Sequence, residues 1–294
     1  MFIEYKAYNP QGNAKFLIEN ANRIITDYES QGFKLTLRQL YYQFVQENLF
    51  ANVKANYDKL GDAISRGRMA GIVSWDAIED KHRSSSLPDE TMDDVSSALD
   101  RAQWFIDVNH WDNQECYVEV WVEKDALGNV IERACEKYNV PHMACKGYLS
   151  TSMAWEAGQR FEEKIDEGKR CVVIHLGDHD ASGIDMSRDN QDRLNLFSRS
   201  MDVELKRIAL NMNQVEKYNP PPNPAKQTDP RAKDYIKRFG DISWELDALK
   251  PKVIVDMITR EVEKYIDIDV FNDAQERKEK LRGQVRKLAE KARK

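Results

Sequence analysis

The segment CVVIHLGDHDASGIDM, residues 171–186, constrains this chain more than any other. Its opening run, Cys171-Val172-Val173-Ile174-His175-Leu176, is short, mostly apolar and rich in β-branched side chains, and Gly177 closes it. That pattern is a strand buried on both faces. Asp178 and Asp180 follow at once. Residues two apart in an extended segment point to the same side, so both carboxylates can face one point just beyond the strand end. Gly183 then allows a tight turn into the next helix. Two acidic groups held close repel each other unless a cation lies between them, and hard oxygen ligands without a cysteine favour Mg²⁺ or Mn²⁺. Two solvated aspartates in a capped loop would have the same spacing, so Asp-x-Asp alone leaves both readings open.

A second stretch bears on that choice. Tyr117-Val118-Glu119-Val120-Trp121-Val122 alternates as a strand and ends on Glu123-Lys124, after which Leu127, Val130, Ile131, Ala134, Cys135 and Tyr138 recur at helical spacing. Residues 140–145 read as another strand and 153–165 as another helix, and the Cys171 strand comes next. A β-α-β-α-β order makes a parallel sheet, so the expected fold class is α/β, with every strand ending on one edge where ligands bind. Glu123 is expected to meet Asp178 and Asp180 there. A glutamate closing one strand and Gly-Asp-x-Asp-x-x-Gly closing a later one resembles the Toprim domain of topoisomerases, primases and some nucleases. That resemblance implies that Glu123, Asp178 and Asp180 hold a catalytic Mg²⁺.

A length of 294 residues suits two domains, and 41% hydrophobic with 32% charged residues describes an ordinary globular chain. No apolar run reaches transmembrane length and the N-terminus lacks a signal-peptide pattern, so the expectation is a cytoplasmic protein with no membrane partner. Cys116, Cys135, Cys145 and Cys171 show no C-x-x-C pairing and read as reduced residues in or near a core. The net charge of −6 argues mildly against a nonspecific coat for nucleic acid, yet local basic patches stay compatible with DNA. Residues 271–294 hold nine Lys/Arg against four Asp/Glu, 9 − 4 = +5, which suits a solvated helix or a phosphate-contacting arm.

Near the N-terminus, Phe16, Leu17, Ala21, Ile24, Ile25 and Tyr28 mark a helix ending near Gly32. Thr36-Leu37-Arg38-Gln39 matches a capping box opening a second helix. On it Leu37, Leu40, Tyr41, Phe44 and Val45 form one apolar stripe; Tyr42 falls outside, with Arg38 one turn before it on the same side. The expectation is a buried Tyr41 and an exposed Tyr42. A third helix runs from about Tyr57 to Arg68, stopped by Gly71, and residues 72–75 read as a short strand. Three helices and a strand suggest a winged helix-turn-helix offering Arg66 and Arg68 to phosphate, although small three-helix packing modules share the pattern. Residues 84–90 are the best linker, followed by a helix begun at Thr91 and carrying Val95, Leu99, Ala102, Phe105 and Ile106. Beyond the acidic stretch come a helix with Leu194 and Phe197, a strand over 203–210, a stiff proline-rich loop over 219–224, and a helix opened by Pro251.

Thr36-Leu37-Arg38-Gln39-Leu40-Tyr41-Tyr42, upstream of Val122-Glu123-Lys124 and Gly177-Asp178-His179-Asp180-Ala181-Ser182-Gly183, resembles the A subunit of DNA topoisomerase VI and the related meiotic double-strand-break protein. The match covers roughly residues 34–185. It implies a winged-helix domain over 1–88, a connecting helix over 89–110, a Toprim-like domain over 111–270 and a basic C-terminal helix or tail over 271–294. It further implies that Tyr42 attacks DNA to form a 5′-phosphotyrosyl link, assisted by Arg38, with Glu123, Asp178 and Asp180 on the metal and Lys124 on DNA. A homodimer pairing one protomer's tyrosine with the other's metal, a separate ATPase partner and a nucleoid location also follow from it. The family has proline after each aspartate where this chain has His179 and Ala181, and no G-x-x-x-x-G-K-[ST] loop marks an ATP site. A Toprim nuclease using metal-activated water and a noncatalytic DNA-binding protein are the alternatives.

Overall fold

The computed structural model describes residues 1–79 and 94–293. The linker expected over 84–90, the helix start at Thr91 and the boundary near 88 lie outside the described residues. The helical unit opens with α1 (Gly12–Ser30), which ends where Gly32 takes a φ of +75°. β1 (Leu35–Thr36) leads into α2 (Leu37–Gln46), whose capping box forms as the sequence predicts: Gln39 N–H donates to Thr36 Oγ1 at 3.2 Å and Thr36 N–H to Gln39 Oε1 at 2.8 Å. α3 (Lys54–Met69) completes the trio, and Leu17, Ala21, Ile24, Leu40, Phe44, Leu60 and Ile64 fill the core between the helices. The strand expected over 72–75 is not there. β2 is Ile78–Glu79 and pairs in parallel with β1. Arg68 Nη2 donates to the carbonyls of Trp75 and Ile78 at 3.2 and 2.6 Å, so a side chain, not a ladder, shapes this segment.

After α4 (Val95–Phe105) comes the α/β unit, in which the β-α-β-α-β order read from the sequence is extended by a fourth strand. β3 (Cys116–Val122), α5 (Gly128–Glu136), β4 (His142–Ala144), α6 (Thr151–Asp166), β5 (Arg170–Leu176), α7 (Ala181–Phe197) and β6 (Val203–Ala209) follow in turn. The sheet order is β4-β3-β5-β6 and every neighbouring pair is parallel. Alternate residues serve opposite faces. Val118, Val120, Val122, Val172, Ile174 and Leu176 join the core that includes Val130 and Ile131 of α5, whereas Tyr117, Trp121, Cys171 and Val173 pack with Ala157 and Phe161 of α6. With both faces covered, the central strands β3 and β5 read as nearly continuous apolar runs, whereas the edge strand β6 carries Glu204, Lys206 and Arg207. Glu119 is a buried carboxylate within β3, and it accepts hydrogen bonds from Tyr117, Trp121 and Arg160 at 2.8 to 3.1 Å.

α8 (Met212–Tyr218), β7 (Pro222–Pro224), α9 (Ala232–Phe239) and β8 (Ile242–Trp244) come next. The proline stretch is extended as expected, and it is also a two-stranded antiparallel ribbon of β7 with β8. α10 (Pro251–Val262) covers the α5 face of the sheet, with Ile254, Ile258 and Val262 buried. α11 (Ile268–Ala292) then runs along α4. The apolar stripe assigned to α4 is not buried: none of its residues is, and Val95 and Phe105 are 69% and 75% exposed. A single neighbouring helix cannot cover a full face. All four cysteines are free, three of them buried. Among the described residues no helix is long and apolar enough to cross a membrane.

Candidate active site

β3 connects to β4 on one side of the sheet, and the chain then crosses to β5 on the other, so the strand order reverses between β3 and β5. At such a switch point the loops part and leave a crevice. Glu123 closes β3 there, and Asp178 follows β5 by two residues. Glu123 and the aspartate loop do meet: the Asp178 N–H donates to Glu123 Oε2 at 2.8 Å. Asp180 caps α7, accepting the Gly183 N–H at 2.6 Å and the Ser182 hydroxyl at 3.0 Å. Gly183 is needed for proximity rather than for a special turn, because a Cβ there would stand 2.3 Å from the Asp178 carbonyl oxygen.

The loop is held from behind by Arg207 on β6. Its guanidinium donates to the carbonyls of Gly177, Asp178, Gly183 and Leu210 and to Ser187 Oγ, at 2.6 to 3.2 Å. Burial lowers its pKa, while Glu123, Asp178 and Asp180 favour its charge. From the other side β8 is bridged to the loop, with His179 N–H donating to the Trp244 carbonyl at 2.8 Å and Trp244 N–H returning at 3.0 Å.

That bridge brings in two acids absent from the sequence-predicted site. Asp178 Oδ1 accepts the Leu246 N–H at 2.8 Å, so Glu245 and Asp247 flank the acidic loop. Lys124 Nζ lies 2.8 Å from Asp178 Oδ2, 2.7 Å from Glu245 Oε2 and 3.1 Å from Asp247 Oδ1. Arg38 on α2 reaches the same acids: Nη2 pairs with Glu245 Oε2, and Nε lies 3.0 Å from Asp247 Oδ2. The signal for Glu245 and Asp247 was a Glu-x-Asp spacing after a short strand, the same form as Asp178 and Asp180.

Charge follows from this packing. Burial lowers the Lys124 pKa, but Asp247, Asp178 and Glu245 outweigh burial and raise it overall. Burial pushes Asp178 up to about 8 against the pull of Lys124, and it raises Glu123 and Asp247 as well. Glu245 goes the other way: burial opposes its ionisation, yet Lys124 and Arg38 hold it down at about 2.

Tyr42 does not stand where the helical stripe puts it. It is 4% exposed, no more accessible than Tyr41. The face of α2 opposite its own unit is covered by the turn Leu246–Ala248, and Ala248 belongs to the helical unit's core. Tyr42 Oη lies 3.4 Å from Arg38 Nη2. Burial and the nearby Glu245 and Asp247 raise its pKa, with Arg38 opposing. Tyr41 instead donates toward the Val53 carbonyl at 3.1 Å. Arg66 is exposed on α3, as expected, whereas Arg68 is engaged by the Trp75 and Ile78 carbonyls instead of standing open to phosphate.

Glu123, Asp178 and Asp180 offer the carboxylate oxygens a divalent cation prefers. Among the described residues, however, no three of His, Cys, Asp and Glu stand together as a ligand set. Both oxygens of Asp178 are engaged, Oδ2 by Lys124 and Oδ1 by the Leu246 N–H. No family model, curated protein or solved structure matches this chain.

Proposed function

We propose that this chain cleaves DNA by tyrosine transesterification, with Tyr42 as nucleophile, in the manner of a topoisomerase VI A subunit with winged-helix and Toprim domains. The observation carrying this reading is that Arg38 and Lys124, from opposite units, converge on the same pair of acids beside both Tyr42 and Asp178. A tyrosine and an acidic strand-end loop thereby belong to one site. Tyr42 Oη attacks the phosphorus, the 3′ oxygen departs, and the strand is left joined through a 5′-phosphotyrosyl bond. Since one ester replaces another, the step needs no ATP and reverses. Arg38 favours the phenolate against the burial and the nearby Glu245 and Asp247 that raise the Tyr42 pKa above the ordinary tyrosine value, and it pairs with a phosphate oxygen. Glu123, Asp178 and Asp180 would hold Mg²⁺ or Mn²⁺, with its charge neutralisation at the phosphate, only after Asp178 is released from Lys124 and the Leu246 N–H, which hold both its oxygens.

A homodimer cutting both strands and a separate ATPase partner belong to the same proposal, with the tyrosine and the acids of each site drawn from one protomer, as Arg38 and Lys124 join them, rather than from two. A second reading, hydrolysis by water at the same acids, is favoured by the burial of Tyr42, since a nucleophile only 4% exposed must be uncovered before it can attack. Supercoiled plasmid incubated with protein and Mg²⁺, then run on denaturing gels with and without protease, separates these. Retarded DNA released by protease, and lost in Tyr42→Phe, is the expected result. Free ends made by Tyr42→Phe at the parental rate would replace it with the hydrolytic reading, and intact DNA would leave only binding.

A further inference from the structure

Two cations of the site share a single carboxylate oxygen. Glu245 Oε2 pairs with Arg38 Nη2 and lies 2.7 Å from Lys124 Nζ. Both cations are also held from within by Asp247, Nζ of Lys124 at 3.1 Å and Nε of Arg38 at 3.0 Å. The two acids are not equivalent. The Asp247 side chain is 0% exposed, whereas that of Glu245 is 22% exposed and that of Arg38 46%. Asp247 therefore orients the cations from the protein side, and Glu245 caps them toward solvent.

A guanidinium and an ammonium converging on one anionic oxygen form a phosphate-binding arrangement, because each donates a charge-assisted hydrogen bond and neither can accept one. We infer that Glu245 is an internal stand-in for a phosphate: its carboxylate fills the oxyanion subsite formed by Arg38 and Lys124, and an entering phosphodiester displaces it. The exchange leaves Asp247 in place and frees Glu245 to swing outward, tethered on the far side by the contact from Asn223 Nδ2 to Oε1 at 3.4 Å. Arg38 links α2 to the turn through these same pairs, so displacement also loosens the cover over Tyr42. The inference rests on the phosphodiester reading only for the identity of the phosphate; the subsite itself is a matter of two cations and one replaceable acid.

The test uses two probes without divalent metal, inorganic phosphate and a short fluorescein-labelled duplex, on the full chain. Phosphate is read by the shift in melting temperature and the duplex by anisotropy. Glu245→Gln removes the competing charge but keeps the side-chain shape. It is expected to tighten binding of both probes on the order of tenfold. Glu156→Gln, an exposed charge on α6, should give no such gain. In an Arg38→Ala background the gain from Glu245→Gln should largely vanish. No gain over wild type for either probe, or an equal gain without Arg38, overturns the inference. Melting curves without ligand show whether each variant folds. If Glu245→Gln does not, Glu245→Asp, too short to span both cations, carries the same comparison with a smaller gain. Tighter phosphate binding with no duplex bound by any variant would uphold the subsite and remove DNA as its ligand. Covalent cleavage by Tyr42 with Glu245→Gln indistinguishable from wild type would remove the subsite and keep the cleavage reading.

Discussion

Glu245 differs from its acidic neighbours because two cations outweigh its burial. Its folded-state pKa of about 2 lies below the ordinary 4.5, so the proton binds the unfolded chain more tightly. The stabilisation is therefore complete above pH 4.5 and lost as the pH falls toward 2. Urea denaturation across that window should show the wild type losing stability more steeply than Glu245→Gln. Equal slopes would mean that Arg38 and Lys124 do not hold this carboxylate in solution. Asp178 and Asp247 shift in the opposite sense, because their desolvation outweighs what their cations return.

At the scale of elements, the start of α7 is shaped by the approach of its own preceding loop. Alanine is favoured over glycine in a helix by about 1 kcal/mol, so propensity alone would make Gly183→Ala stabilising. The Cβ would stand 2.3 Å from the Asp178 carbonyl oxygen and 3.0 Å from Glu123 Oε2. That carbonyl is fixed by Arg207 and cannot retreat, so the clash wins. Gly183→Ala should lower unfolding free energy by about 2 kcal/mol, within the cost of overpacking. Gly283 in α11 has open space around it, and Gly283→Ala should raise stability by about 0.5 to 1 kcal/mol. If both substitutions moved stability in the same direction, backbone approach at Gly183 would not be the controlling factor.

Across the whole molecule, the helical unit and the α/β unit share a core: Ala248 and Val255, both beyond the sheet, pack with Leu40 and Phe44 of α2. α4 and α11 form a different kind of attachment, since α4 buries no residue and its main neighbour among the described residues is α11. An isolated helix shorter than about 12 to 15 residues is marginal in water. A chain ending at Phe271 keeps the aromatic contact of that residue with Tyr138 and removes the rest of α11. Hydrogen exchange on it should find the α4 amides unprotected while those of β3 and β5 keep their protection. Protected α4 amides would show that something other than α11 holds that helix.

What the sequence determined by itself is local or repetitive. Strand polarity and the parallel order came from apolar runs alternating with helical periodicity, and the capping box at Thr36 and the acidic turn after β5 came from fixed spacings within a few residues. The meeting of Glu123 with the Asp178 loop also followed, because a parallel sheet delivers its strand ends to one edge. What only the tertiary structure decided involves residues far apart in the chain. A helical wheel reports which face of α2 is apolar, but not that the turn Leu246–Ala248 packs against α2 or that Tyr42, off the apolar stripe, is buried. Arg68 looked like an exposed cation until the carbonyls of Trp75 and Ile78 claimed it. Glu245 meets Arg38 across a separation of 207 residues. Periodicity records what one segment needs to bury, whereas the partner of a charged side chain is set by where the fold brings a distant segment, and no spacing along the chain encodes that.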